Sequence, residues 1–186
     1  MAPRWRSSRL LQVAEMGIDQ TPPRVSIQTA DFDISAEVAA LRAQDDQIGA
    51  VVSFIGTVRE WLDNPQGQPS ALELEHYPGM TESSIEAMID EACRRFDLRA
   101  VRVIHRVGLL PVGSQIVLVV TASGHRGQAF SGCEFLMDWL KTQAPFWKKE
   151  ISAEGKRWVE AKASDDEALA RWGTLPGVQS GNVSSP

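Results

Sequence analysis

The residues best suited to chemistry are five lysines, all in the last quarter of this 186-residue chain. Between His125 and Lys162, seven lysine and arginine residues face five acids, although the whole chain, with 19 basic and 24 acidic residues, has a net charge of -5. Lysines crowded near other cations have lowered pKa values and can transfer protons near neutral pH. A basic segment in an acidic chain predicts a site for an anion. The five are Lys141, Lys148, Lys149, Lys156 and Lys162.

Lys141 and the pair 148–149 are the main candidates. Lys141 ends an amphipathic stretch, and the pair follows the apolar Pro-Phe-Trp segment 145–147. Because the side chains of a strand alternate between its faces, one lysine of the pair should point toward a cleft and the other toward water. The plainer interpretation is a lysine that complements a helix dipole, followed by a solvated strand face.

The second candidate is the pair His125 and Arg126, between Gly124 and Gly127 at the start of a predicted helix. Free backbone N–H groups at a helix start attract anions, and the two side chains would add a donor and a fixed positive fork. The spacing of a phosphate-binding P-loop is absent, and a glycine-flanked turn with a solvated arginine explains the same residues. We expect this loop to flank the same pocket as Lys141.

Arg59 is a third candidate, because an arginine at the end of a buried strand can clamp a phosphate; it can equally be a solvated end residue. His76 and His105 fall within predicted strands and are interpreted as sheet residues. Cys93 and Cys133 lie on apolar helical faces, which predicts inert packing.

Strands and helices in mixed order must position these residues. Hydrophobic periodicity predicts strands over 24–28, 49–58, 71–77, 100–107 and 115–122 and a hairpin of 146–151 with 156–161. It predicts helices over 35–44, from Thr81, over 128–144 with Phe130, Cys133, Met137 and Leu140 inside, and from Ser164. Ser35 and Thr81 are the predicted N-caps of their helices. Because no strict βαβ repeat occurs, we expect an α+β fold with a mostly antiparallel sheet and packed amphipathic helices.

Composition limits the domain organisation and the classes of partner that this chain can have. We expect one domain over 23–172, a disordered or misassigned extension over 1–22 and a disordered tail over 173–186. The acidic balance argues against nucleic acid and anionic membranes as partners, and no apolar run approaches the roughly 18–20 residues of a membrane-spanning helix. The two cysteines form no zinc-binding spacing and fit a reducing compartment. We therefore predict a cytoplasmic protein with no metal.

Five segments together resemble a known family, the catalytic (large) subunit of molybdopterin synthase. The resemblance covers about residues 24–172, and its longest motifs, 74–82 and 137–150, are unusual enough to be specific. The segments are GAVVSFIGTVR (49–59), LEHYPGMTE (74–82), VIHRV (103–107), MDWLKTQAPFWKKE (137–150) and GKRWVEA (155–161).

The resemblance implies an α/β hammerhead fold and a sulfurtransferase. Such a subunit forms a central homodimer and binds one small ubiquitin-like sulfur-carrier subunit per copy, which gives a heterotetramer. Sulfur from the carrier's Gly-Gly thiocarboxylate would pass to cyclic pyranopterin monophosphate and build molybdopterin, without a cofactor in the large subunit.

The resemblance also implies site residues at matching positions. It implies that six residues line the substrate site: Arg59, His125, Arg126, Lys141, Lys148 and Lys149. Our hypothesis is that Lys141 and Lys148 are catalytic, with Lys141 at the reacting centre and Lys148 nearby. Two positions depart from the family pattern: Thr57 stands where lysine is common, and Lys162 stands where arginine is expected. The second change keeps the charge but loses the bidentate fork.

Two other functions fit the same residues. A non-catalytic module could use the basic cleft to hold an acidic peptide tail or a nucleotide. A lysine-dependent lyase could act on a carbonyl substrate without any protein partner. The combination of Lys141 and Lys148 beside an aromatic wall favours the sulfurtransferase, because simple tail binding does not need it.

Overall fold

Two four-stranded sheets carry the functional segments in the computed structural model, which describes residues 22–59, 71–152, 155–158 and 171–173. The first sheet has the order β1-β4-β6-β2, and the second has the order β5-β3-β7-β8. Among the described strands only β1 and β4 pair in parallel, so the mostly antiparallel α+β fold predicted from the sequence is confirmed.

The first sheet is the buried centre of the fold. Its strands are β1 (Val25–Gln28), β4 (Leu98–Arg106), β6 (Gln115–Ser123) and β2 (Ala50–Thr57). Strands β4 and β6 are buried along most of their length because both of their faces are covered.

The alternation of side chains along β6 divides the core into two layers. Val117 and Val119 pack with the helices α2 (Met80–Phe96) and α3 (Arg126–Thr142). Leu118 and Val120 face the other way, toward Phe32 and the buried Leu41 of α1 (Ile34–Arg42).

The second sheet is smaller and joins the first at the end of β2. Its strands are β5 (Gly108–Pro111), β3 (Ala71–His76), β7 (Phe146–Ser152) and β8 (Gly155–Trp158). Leu74 and Leu110 on its inner face are almost fully buried with Val58, the residue that follows β2. This small cluster holds the two sheets together.

Most predicted elements are confirmed, with corrections at their ends. The carboxylate of Asp33, and not Ser35, caps α1 by accepting bonds from the N–H groups of Ser35 and Ala36. At the start of α2, Glu82 bonds the Gly79 N–H, whereas Thr81 is buried inside the first turn.

Three other expectations meet different outcomes. The sequence predicts no strand between residues 107 and 115, but 108–111 forms β5 because it pairs with β3. Phe130 was predicted to face the interior, and this is wrong, since 61% of it is exposed. The helix predicted from Ser164 and most of the predicted tails 1–22 and 173–186 lie outside the described residues.

None of the described helices combines the length and the apolar character that crossing a lipid bilayer requires.

Candidate functional site

A cavity of about 500 Å³ opens between strand β2 and helix α3, and Lys141 stands at its wall. Lys141 lies in the last turn of α3 and is exposed. Within the described part of the chain, no hydrogen bond or ion pair engages its ammonium group. The lining residues are Val52, Ser53, Phe54, Phe130, Cys133, Glu134, Met137, Asp138 and Lys141.

The cavity wall combines exposed aromatic rings with a few charges. Phe54 is 37% exposed and Phe130 is 61% exposed, one from each side of the groove. Large apolar side chains that stay exposed beside each other are typical of a binding surface. The wall is therefore suited to a ligand that has an apolar or backbone portion and an anionic end near Lys141.

Strand β2 forms an edge of the first sheet, so part of the groove is open backbone. Its pairing partner is β6 on one side, and no other described strand pairs with it. An open strand edge beside a hydrophobic groove can accept an extended peptide as an additional strand. The residues along this edge are Val52, Ser53 and Phe54.

Lys148 lies on the inner face of the second sheet. It is opposite the buried Leu74 in the register of β3 and β7, and it is partly buried. His105 lies close enough to Lys148 for the charge of the lysine to affect the pKa of the imidazole. Burial first, and then the charge of Lys148, lower the pKa of His105 to about 4. His105 is therefore neutral at physiological pH.

Lys149 points to the other face, as the alternation along a strand predicts. It is opposite Glu73 in the register, and its ammonium lies 2.6 Å from the carboxylate of Glu75. The two neighbouring lysines thus enter different environments, and Lys149 is ion-paired on the outer face.

His125 and Arg126 lie at the opposite end of α3 from Lys141. Fifteen residues separate Arg126 from Lys141 along this helix, which at 1.5 Å per residue is about 22 Å. The expectation that the loop and Lys141 flank one pocket is wrong for a single copy of the chain, because a straight helix keeps its two ends apart. His125 is the N-cap, and its side chain makes no capping bond.

Gly49, which precedes strand β2, packs its backbone closely against this loop. A Cβ atom on Gly49 would lie 2.4 Å from the carbonyl oxygen of Gly124, and the Gly49 N–H donates to the carbonyl of Ser123. Gly49 is therefore needed where the two backbones meet, whereas a Cβ on Gly124 would make only ordinary contacts, at 3.8 Å or more, and a Cβ on Gly127 would meet open space. The contact fixes the loop that presents His125 and Arg126.

Arg59 is exposed one residue beyond the cluster that joins the sheets. The preceding residue, Val58, is tied down because its N–H donates to the Ser114 carbonyl and its own carbonyl accepts from Gly113. Thr57, the departure from the family pattern, ends β2 at an irregular point in its register with β6.

Cys133 lines the cavity but is a poor nucleophile. Burial raises the pKa of its thiol to about 11, so the reactive thiolate is scarce at neutral pH. The pKa of Cys93 is also raised by burial. In the described ranges, 22–59, 71–152, 155–158 and 171–173, no group of His, Cys, Asp and Glu side chains is placed to hold a metal ion.

Comparison with known proteins identifies the family. The model of the MoaE protein family matches residues 27–143. The chain belongs to this family. Over 153 residues it is 59% identical to the molybdopterin synthase catalytic subunit of Ralstonia nicotianae, which covers 82% of this chain and 86% of that one. It is 52% identical to the protein of the same name from Vibrio cholerae, over 80% of this chain and 97% of that one.

Comparison with solved structures points to the same family. The molybdopterin biosynthesis MoaE protein from Burkholderia ambifaria matches with a TM-score of 0.69 and 55% identity, covering 81% of this chain and 98% of that one. Molybdopterin synthase from Staphylococcus aureus matches with a TM-score of 0.68 and 28% identity, over 74% and 98%. The predictions of an α+β fold, of membership in this family and of a molybdopterin synthase enzyme are confirmed.

Sequence reasoning missed the two acids and the aromatic rings of the MoaE-family cavity. Their signal is a helical stripe, because positions 130, 133, 134, 137, 138 and 141 recur at spacings of three and four residues. The stripe was interpreted as a core face. That one side of the stripe is exposed can be recognised only once the neighbouring strand β2 is known to be an edge strand.

Proposed function

We propose that the β2–α3 cavity is where this chain transfers sulfur from the thiocarboxylate of a small carrier protein to cyclic pyranopterin monophosphate. The observation that carries the proposal is an exposed Lys141, with no ion-pair partner among the described residues, at the wall of a 500 Å³ cavity in a MoaE-family chain. Both reactants are anions, so bringing them together requires a local positive charge to offset their repulsion.

Lys141 acts at the reacting centre in this proposal. Its ammonium either holds the carbonyl oxygen of the thiocarboxylate or assists the proton transfer that accompanies sulfur release. Lys148 is the second catalytic cation, because it is partly buried and next to a neutral histidine, His105. Arg59 contributes to the phosphate site from the end of β2.

The groove fits the chemistry of a carrier tail that ends in Gly-Gly. Glycines lack side chains, so an extended tail can lie against the edge of β2 at Ser53 while passing between Phe54 and Phe130. Its terminal group then reaches Lys141 at the end of α3. Partner binding is supported here by the groove and by family membership.

A homodimer accounts for the remaining residues. Because about 22 Å separates the two ends of α3, His125 and Arg126 of one copy can act with Lys141 only if that Lys141 belongs to a second copy. We propose this arrangement, with one carrier per copy, as the heterotetramer. In this scheme Lys149 pairs with Glu75 and stabilises the pairing of β7 with β3. Its contribution to the substrate site is indirect, because it holds the strand that carries Lys148.

Reconstitution tests the proposal. The purified protein is incubated with a thiocarboxylated carrier and cyclic pyranopterin monophosphate, and molybdopterin is detected. Lys141→Ala should lose turnover while it remains folded and still binds the carrier. Turnover near that of the wild type would refute the role of Lys141.

The same assay separates the other functions. A non-catalytic module would bind the carrier tail and give no product with wild-type protein. A lyase would be trapped by borohydride on a lysine when a carbonyl substrate is present and the carrier is absent. A cytoplasmic location and the lack of a bound cofactor remain part of the proposal.

A further inference from the structure

Two carboxylates share the face of α3 that carries Lys141. Glu134, Asp138 and Lys141 follow one another at spacings of four and three residues and all line the cavity. Side chains at these spacings on a helix are neighbours, and an acid and a lysine there form an ion pair. Left alone, Asp138 would be expected to engage the ammonium of Lys141.

A segment from the end of the described chain holds these acids instead. The Arg171 guanidinium lies 2.6 Å from Asp138 Oδ2 and 2.9 Å from Glu134 Oε1. The indole Nε1–H of Trp172 donates to the same Asp138 Oδ2 at 2.7 Å. Asp138 therefore accepts bonds from two side chains, and Lys141 accordingly makes no contact with it.

Trp172 is itself firmly anchored. Its ring makes edge-to-face contacts with Phe96 and Phe135, with centroids 5.6 and 5.5 Å away. Its carbonyl accepts a bond of 2.7 Å from the Arg95 guanidinium, and Arg171 stacks over its ring at 5.0 Å. Arg171 is thus presented to α3 by a packed aromatic anchor.

We propose that Arg171 and Trp172 are positioning residues for Lys141. By occupying Asp138 and Glu134 they leave the lysine ammonium available to an anionic ligand. Arg171 also changes the net charge of the site. The carboxylates of Glu134 and Asp138 and the ammonium of Lys141 sum to one negative charge, which the Arg171 guanidinium neutralises. An uncompensated negative cavity would repel both anionic reactants. The proposal rests on the proposed function for its turnover assay.

The chain offers a matched control for the loss of this arginine. Arg24 bridges Glu86 and Asp90, two acids spaced four residues apart on α2, as Glu134 and Asp138 are on α3. The Arg24 side chain is 44% exposed and that of Arg171 is 45% exposed. R24L therefore removes a similar ion pair away from the cavity.

The first measurement is turnover, with the free energy of unfolding measured alongside. We expect R171L to lose about tenfold in kcat/KM, and R24L to keep the wild-type value despite a similar loss of stability. The double variant R171L/D138N should recover most of the loss, because the released carboxylate is gone. W172F keeps an aromatic ring at this position but loses the N–H donor, and should show a smaller loss.

The second measurement does not depend on turnover. Acylation of Lys141 by acetyl N-hydroxysuccinimide ester, followed by peptide mass spectrometry, reports whether its amine is engaged. Acylation should slow in R171L and recover in R171L/D138N, while R24L should match the wild type. Unchanged acylation in R171L, or a double variant no more active than R171L, overturns the positioning role. If wild-type protein makes no molybdopterin, the proposed function fails, and the acylation result still decides this proposal.

Discussion

The imidazole of His105 stacks face to face on the ring of Phe146, with centroids 3.8 Å apart and 17° between the planes. His105 is buried, and its Nδ1 lies 2.9 Å from the carbonyl oxygen of Arg106. Phe146 begins strand β7, two residues before Lys148. The stack therefore ties the strand that carries a proposed catalytic lysine to the central sheet.

This stack predicts a pH dependence of stability. The pKa of His105 falls from 6.5 to about 4, first because of burial and then because of the charges of Lys148 and His76. Between these values the unfolded chain binds the proton and the folded chain does not. The contribution, about 3 kcal/mol at most, is complete above about pH 6.5 and is lost as the pH falls toward 4.

Urea unfolding of the wild type and of H105F from pH 4 to pH 7 measures this contribution. The phenyl ring keeps the stack but does not titrate, so the difference between the two proteins should change steeply over this range. Parallel stability curves would show that His105 is not neutralised by folding.

Close packing of α3 on β4 predicts that replacing Gly132 by a larger residue destabilises the protein. A Cβ on Gly132 would lie 2.7 and 2.9 Å from the two methyl carbons of the buried Leu98. G132A should therefore lower the free energy of unfolding by about 1–3 kcal/mol, through overpacking. G127A, on the same helix but facing open space, is the control and should be neutral or stabilising. Equal effects of the two variants would contradict the packing argument.

The buried thiol of Cys133 predicts slow alkylation despite its place in the cavity wall. With a pKa of about 11, only about one molecule in a thousand carries the thiolate at pH 8, and this fraction rises tenfold with each pH unit. Iodoacetamide labelling followed by mass spectrometry should show that steep rise. C133A should retain turnover, and its inactivity would assign the thiol a direct role.

The length of α3 predicts complementation between two inactive variants. H125A/R126A and K141A should each lose turnover alone. When the two are unfolded together and refolded, half of the dimers are mixed and carry one intact site of two, so about a quarter of wild-type activity should return. If no activity returns although native mass spectrometry verifies mixed dimers, the two ends of α3 do not combine in one site across the dimer.

Elements with strong local patterns were predictable from sequence. The strand over 49–58 and the helix over 128–144 follow from apolar periodicity, and the structure moves their ends by one or two residues. The opposite faces of Lys148 and Lys149 follow from the two-residue period of a strand.

Features that depend on distant contacts were not predictable. Phe130 is exposed because β2 is an edge strand, which no local pattern encodes. Thr81 resembles an N-cap, but its hydroxyl bonds the carbonyls of Tyr77 and Pro145, the latter 64 residues away. The contact of Arg171 with Asp138 spans 33 residues and depends on how Trp172 packs.

The strand order β1-β4-β6-β2 also constrains how this protein forms during synthesis. Val25 pairs with Val103, and Ala50 pairs with Ser123, so β1 and β2 have no partners until most of the chain has left the ribosome. Strands that pair over such separations close slowly, because the loop entropy is lost before the contacts form. The N-terminal strands must therefore wait for β4 and β6, and the central sheet assembles only when translation is well past residue 123.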